Sequence, residues 1–266
     1  MSAIILDGKL LHYEAFGRGK PLLFVHGWFG SWRYWVPTIE IMSEHSRTYA
    51  LDLWGFGDSD RVNGQVSTEG YVKLLGAFIE AMGFTSVTLI GHALGATVVM
   101  RFTADKPEVV ERVERVMTIS APLAGEAINQ RLLSPGTTLL DRMRGWKPSE
   151  GHVEVEREMA KTAEGVIETS LRSVMDADLR QVIQQIQIPL LLAYGEKDIV
   201  VAQPQPEWLA NAGDNVRIIV LPNARHFPML EDTPIFARLL TDFLEVKDAE
   251  ELAALTVKEE WRRRTH

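Results

Sequence analysis

The chain contains no cysteine. That absence removes a disulfide framework, a thiolate metal site and a redox Cys-x-x-Cys pair. Positive charge is also in short supply: 28 Lys+Arg against 36 Asp+Glu leave a formal net charge of −8 over 266 residues. Nucleic-acid binding is driven by Lys and Arg neutralising phosphates, so this balance argues against a general nucleic-acid surface. Long apolar runs are scarce as well. The N-terminal run extends only from Ala3 to Leu6 with no basic stretch before it, far short of a signal-peptide h-region. One uncharged stretch, AMGFTSVTLIGHALGATVVM at 81–100, has the length of a membrane span. Glycines, hydroxyl residues and a histidine interrupt it, and Gly91 to Gly95 reads as a turn in its middle. A buried strand followed by a buried helix explains the same hydropathy. There is no His-Glu-x-x-His and no Gly-x-Gly-x-x-Gly at the first strand–turn–helix, so no metal and no nucleotide cofactor is expected. The expectation is a soluble, cytoplasmic protein with no nucleic-acid or membrane partner.

What is present can build a core: 46% of residues are apolar and 24% charged, the proportions of an ordinary globular protein. The length allows one large domain or two small ones. Short blocks rich in Val, Ile, Leu, Thr and Tyr recur at 10–16, 21–26, 47–53, 86–91, 115–120, 189–195 and 216–222. Most are continuous rather than alternating, as in strands covered on both faces of a parallel sheet. Gly-Arg-Gly-Lys between the first two blocks suggests that they form an antiparallel hairpin. Helical spacing appears at 68–82, at 94–104 (bounded by Pro107) and at 234–245. Strand–helix alternation of this kind predicts an α/β fold with a mostly parallel central sheet flanked by helices. The interval 123–187 breaks the rhythm. It is charged in 142–164 and helix-periodic at Leu132, Leu133, Leu139, Leu140 and Met143. A single crossover needs far fewer residues. The expected division is therefore a core of 1–122 plus 188–266, with 123–187 inserted as a helical cap or lid.

Four local patterns fall at the ends of these strands. They are His26-Gly27-Trp28-Phe29-Gly30, Asp52-Leu53-Trp54-Gly55-Phe56-Gly57-Asp58-Ser59, Gly91-His92-Ala93-Leu94-Gly95, and a late Asp198 with His226. Each alone is weak. Together and in this order, from about residue 8 to 245, the chain resembles the α/β-hydrolase superfamily, most closely its small esterase, lactonase and C–C hydrolase members. In that superfamily a Gly-x-Ser-x-Gly elbow presents the nucleophile, and the triad runs Ser, Asp, His along the chain. The resemblance implies that His226 is the general base and that Asp198 fixes its tautomer. It further implies that the amides of Trp28 and Leu94 form an oxyanion hole, helped by the positive end of the following helix. Phe29 and His92 are expected beside the substrate, a small, apolar ester or acyl compound.

The elbow departs from the family pattern at one position. Position 93 is alanine where the family has serine. It is not aspartate either, which excludes the alkyl-enzyme route. Alanine has no nucleophilic atom, so no acyl-enzyme can form there. As substitutes, His92 is expected to point into the fold or along the sheet, and Ser120 and Ser59 lie at other strand ends with nothing to place them at the elbow. Two explanations stay open. In one, the parent protein is a serine hydrolase acting on an ester or related acyl bond, and alanine has been introduced at its nucleophile. In the other, Ala93 is native, and the protein is a ligand-binding pseudoenzyme or a cofactor-free His–Asp proton-transfer enzyme.

Other singled-out residues carry plainer readings. Trp28 and Phe29 lean toward a pocket, and Trp32 and Trp35 toward packing. Asp52 and the 54–59 stretch read as a structural turn whose glycines permit positive φ. Glu231 and Asp232 are expected to cap the helix that begins near Pro234. The tail from Lys247 to His266, with Leu252, Leu255 and Trp261 as an apolar stripe and Arg262-Arg263-Arg264 at its end, reads as a solvated helix end.

Overall fold

A computed structural model describes residues 2–61, 64–105, 111–129, 131, 155, 157–158, 161–162 and 164–258. Pro107, the periodic leucines and Met143 of 132–143, and the C-terminal arginines with Trp261 lie outside the described residues. The strands are β1 (Ser2–Leu6), β2 (Lys9–Phe16), β3 (Lys20–Val25), β4 (Ser46–Leu51), β5 (Val87–His92), β6 (Val113–Ile119), β7 (Leu190–Gly195) and β8 (Val216–Leu221). They form one eight-stranded sheet in the order β1-β2-β4-β3-β5-β6-β7-β8. Pairing is antiparallel at β1–β2 and β2–β4 and parallel from β4 onward.

Continuous apolar strands follow from two separate cores, one on each face of the sheet. Along β3, Leu23 and Val25 join the core that holds α2 (Thr68–Ala81) and α3 (Leu94–Asp105). Leu22 and Phe24 join the opposite core, with Trp35, α1 (Val36–Met42) and the helix Thr233–Glu245. Since successive side chains of a strand point to opposite faces, a strand buried on both sides must be apolar throughout. The helices begin where side chains satisfy free amides. Ser67 accepts from the Gly70 amide at the start of α2, and Asp232 accepts from the Ile235 amide before Thr233–Glu245. Between β6 and β7 the chain leaves the sheet as a helical cap insertion, of which Glu164–Met175 is described. The next helix, Leu179–Gln185, packs on α3, which returns the chain to the layer flanking the sheet.

The expected hairpin between 10–16 and 21–26 is not formed. β4 inserts between β2 and β3, and the Gly17–Lys20 turn leads away from the pair. Gly17 lies so close to the following helix end that a Cβ there would stand 2.3 Å from the carbonyl oxygens of Ser43 and Ser46. The hairpin of the sheet is β1–β2 instead, joined by Asp7-Gly8, both at positive φ. Asp-Gly with positive φ at both positions is a preferred two-residue hairpin turn. Among the described residues, no helix is long and apolar enough to cross a membrane. The 81–100 stretch is the end of α2, then β5, a one-residue turn and the start of α3.

Candidate active site

The turn between β5 and α3 is one residue, Ala93, held at φ +48° and fully buried. For a non-glycine residue this left-handed conformation costs on the order of 1–3 kcal/mol. Hydrogen bonds lock it from both sides: the Ala93 amide donates to Ile119 O at 2.9 Å, and Ala93 O accepts from the Thr97 amide at 3.2 Å. The flanking glycines are sterically obligatory. A Cβ at Gly91 would lie 2.4 Å from Gly95 O, and one at Gly95 would lie 2.2 Å from Val25 O. The turn, α3 and the end of β3 therefore meet backbone to backbone.

The loop after β3 packs against this turn. His26 is fully buried, with Nδ1 2.7 Å from Gly27 O and Nε2 3.0 Å from the Leu53 amide. A carbonyl must accept and an amide must donate, so Nδ1 carries the proton and Nε2 the lone pair. Burial holds its pKa below 6.5, against the raising influence of Asp52. His26 thus pins the 27–30 turn to the end of β4. Phe29 sits at φ +59°, and its carbonyl accepts from the Tyr34 hydroxyl at 2.6 Å. The Trp28 indole reaches the cap, donating to Ser170 Oγ at 3.1 Å. Neither the Trp28 nor the Leu94 amide donates to a backbone carbonyl among the described residues. Trp28 and Phe29 are nearly buried, and Trp35 lies in the core against Phe24 and Phe236.

The late acid and histidine come together beside the turn. His226 Nδ1 stands 2.9 Å from Asp198 Oδ2, and their side chains are 5% and 1% exposed. The carboxylate can only accept, so Nδ1 carries a proton and donates it. Asp198 is tightly held: Oδ2 also accepts from Ser120 Oγ at 2.7 Å, and Oδ1 accepts from the amides of Val200 and Val201 at 2.8 and 3.1 Å. Burial pushes the Asp198 carboxyl up, but the facing His226 and these donors together outweigh it and hold the pKa below 3.8. Ser120, at φ +51° beyond β6, is a member of the cluster that sequence reasoning left unassigned. Only its place at a strand end, next to the elbow strand, could have suggested it.

Two further residues organise the His226 loop. His92 is fully buried, with Nε2 2.9 Å from His226 O and its ring centroid 4.6 Å from that of His226. Glu231 does not cap the following helix, as expected from sequence. It accepts from the amides of Arg225 and Phe227, one on each side of His226, and leaves the capping to Asp232. A second carboxylate cluster lies under the loop after β4. His12, Asp52 and Asp58 offer ligand atoms within 4.8 Å of one another. Their groups are already engaged: Asp52 accepts from His12 Nδ1, the Trp32 amide and the Asp58 amide, while Asp58 pairs with Arg33. The arrangement ties β2, the loop after β3 and the 54–59 turn into one knot. A Cβ at Gly57 (φ +54°) would fall 2.2 Å from Asp52 Oδ2, which explains the glycine.

A positive-φ turn between a strand and a helix, two obligatory glycines, and a buried His–Asp pair from later loops define a hydrolase-type site on an α/β sheet. The profile of the Alpha/beta hydrolase family matches residues 22–239, and the chain belongs to that family. It is 25% identical over 259 residues to the pimeloyl-(acyl-carrier protein) methyl ester esterase of Aliivibrio fischeri, covering 88% of this chain and 97% of that protein. Among solved structures it is similar to an esterase from Exiguobacterium antarcticum (TM-score 0.81, 18% identity, 92% of this chain and 99% of that one). It is similar also to a meta-cleavage product hydrolase from Pseudomonas fluorescens, a serine-to-alanine mutant complexed with acetates (TM-score 0.75, 21% identity, 92% and 97%).

Proposed function

We propose that the chain is the scaffold of a serine hydrolase for a small, apolar ester or related acyl compound, silenced at its nucleophile by Ala93. The observation that carries this is the elbow itself. Ala93 adopts a strained φ of +48° between two glycines that tolerate no Cβ, beside an intact His226–Asp198 pair. Such strain persists only where the surroundings over-determine it, and it clusters at functional sites. With serine at 93, His226 Nε2 takes the hydroxyl proton as Oγ attacks the acyl carbon. The carbonyl oxygen becomes an oxyanion held by the Trp28 and Leu94 amides, and His226 returns the proton to the departing alcohol. Water activated by His226 then releases the acid and restores Oγ–H. Asp198 stays ionised throughout and stabilises the imidazolium. Trp28 and Phe29 supply apolar wall to the pocket, and residues 123–187 cover it as a cap distinct from the core of 1–122 and 188–266.

Ala93→Ser is the test. The serine form is expected to hydrolyse a short-acyl nitrophenyl ester and to be labelled by a fluorophosphonate, whereas the alanine chain does neither. The reading falls if the serine form neither turns over ester, lactone, thioester or C–C substrates nor takes the label. Because the His–Asp pair is assembled without a nucleophile, a second reading has one specific support: proton transfer by His226 alone. It predicts activity in the alanine chain that His226→Ala abolishes.

A further inference from the structure

His92 occupies the junction of the elbow, the base and the loop after β3, yet the triad chemistry gives it no task. Its Nε2 faces the His226 carbonyl across 134 positions of sequence at 2.9 Å. A carbonyl only accepts, so Nε2 carries the proton and the ring is neutral. Burial, aided by the nearby His226, holds its pKa well below 6.5, consistent with that assignment. The other nitrogen, Nδ1, is buried with no hydrogen-bond partner among the described residues. An apolar side chain of similar volume would avoid that unsatisfied atom. The imidazole must therefore supply something an apolar residue cannot, and its hydrogen bond among the described residues is to the His226 backbone.

The surroundings leave the ring no freedom. A Cβ on Gly27 would stand 2.7 Å from Nδ1, so the loop that carries the Trp28 amide rests directly on the imidazole. On the other side are the rings of His226 at 4.6 Å and Phe227 at 5.0 Å. Asp198 fixes the His226 ring only at Nδ1. Where that ring stands relative to position 93 depends on where its backbone sits. His92 and Ala93 are consecutive, so a bond from His92 to His226 O references the base to the same backbone that presents position 93.

We propose that His92 is a positioning residue: by donating Nε2–H to the His226 carbonyl, it holds the His226 imidazole in register with position 93. The inference rests on His226 acting as the base, and the experiment has one arm independent of the hydrolase reading. In the unaltered chain, imidazole NMR follows the His226 Nδ1–H proton that is bonded to Asp198. His92→Gln, whose amide nitrogen reaches about as far as Nε2, is expected to retain this resonance. His92→Phe is expected to lose it to faster exchange with water.

In the Ala93→Ser background, His92→Phe should lower kcat about 100-fold, the scale of a 1 Å misplacement, while KM stays within roughly threefold. His92→Gln should recover most of that loss. A folded His92→Phe chain that keeps the resonance, or keeps kcat within about twofold of its parent, overturns the proposal. If His92→Phe does not fold, the Gln and Asn variants decide, because asparagine is too short to reach the His226 carbonyl. Equal behaviour of those two overturns the proposal, and loss in Asn alone upholds it. An Ala93→Ser chain with no turnover removes the hydrolase reading and leaves the NMR arm to judge His92.

Discussion

Adding one methyl group at either of two glycines should move stability in opposite directions. At Gly95 the methyl carbon would sit 2.2 Å from Val25 O and 2.6 Å from His26 O, where ordinary contact begins at 3.4 Å. Both obstacles are backbone, at the end of a central strand and in the His26 loop, so neither can swing aside. Relief requires α3 to retreat from the sheet by on the order of 1 Å, and overpacking of this kind costs about 1–3 kcal/mol. For a chain of this size each kcal/mol corresponds to roughly 2–4 °C, so Gly95→Ala should lower Tm by about 2–12 °C.

Gly165, within the cap helix Glu164–Met175, has nothing within 4 Å of the same added carbon. There the methyl only reduces the freedom of the unfolded chain, and Gly165→Ala should stabilise by about 0.5–1 kcal/mol. Thermal unfolding followed by circular dichroism, with urea midpoints as a second measure, reads both. The steric reasoning is refuted if Gly95→Ala melts within about 1 °C of its parent, or if Gly165→Ala is the less stable of the two.

Two further outcomes follow from charge. Asp198 has a folded pKa below its ordinary value, so its contribution is fully present above about pH 3.9 and is lost as pH falls from there through the lower folded value. Ser120→Ala removes one of its donors; urea unfolding should show a loss of about 1.5–3 kcal/mol at neutral pH and a shallower decline in acid. His12 has the opposite sign. Burial lowers its pKa, but the hydrogen bond and charge of Asp52, then Asp58 and Glu14, outweigh it and raise the pKa above 6.5. Its contribution is therefore complete below pH 6.5 and is lost as pH rises through the raised folded value. Stability should fall as pH rises from 6.5 through the raised folded pKa, and His12→Gln should flatten that dependence; an unchanged slope would show that the Asp52 knot does not hold charged His12.

Strands that are buried on both faces announce themselves, which is why β5 and β7 stand within a residue of their apolar blocks. β1 does not: its alternately exposed side chains at the sheet edge leave only Ala3 to Leu6 as signal. The order of strands is less local still. Gly17–Lys20 has hairpin composition, yet β4 takes the place beside β2 because later residues compete for that edge. Elbow glycines and a histidine after the last strand are legible because backbone contact and base chemistry admit few residue types. Ser120 and Glu231 are not, since a hydroxyl on Asp198 or a carboxylate on the His226 loop depends on which loops the fold brings together. Glu231 in particular has the residue type and spacing of a helix cap, and the cap is Asp232.

The sheet order also determines when the site comes into being. The elbow is complete once α3 has been made, but Asp198 follows β7 and His226 follows β8, the strand at the far edge of the sheet. Glu231, which clasps the His226 loop, comes later still. A ribosome delivering this chain from its N-terminus would therefore release the elbow, the His26 loop and most of the sheet before His226 arrives. Until the final edge strand docks, the growing chain holds a strained turn without the His226 imidazole. The His–Asp pair takes its place beside the elbow only after the last strand of the sheet has been made.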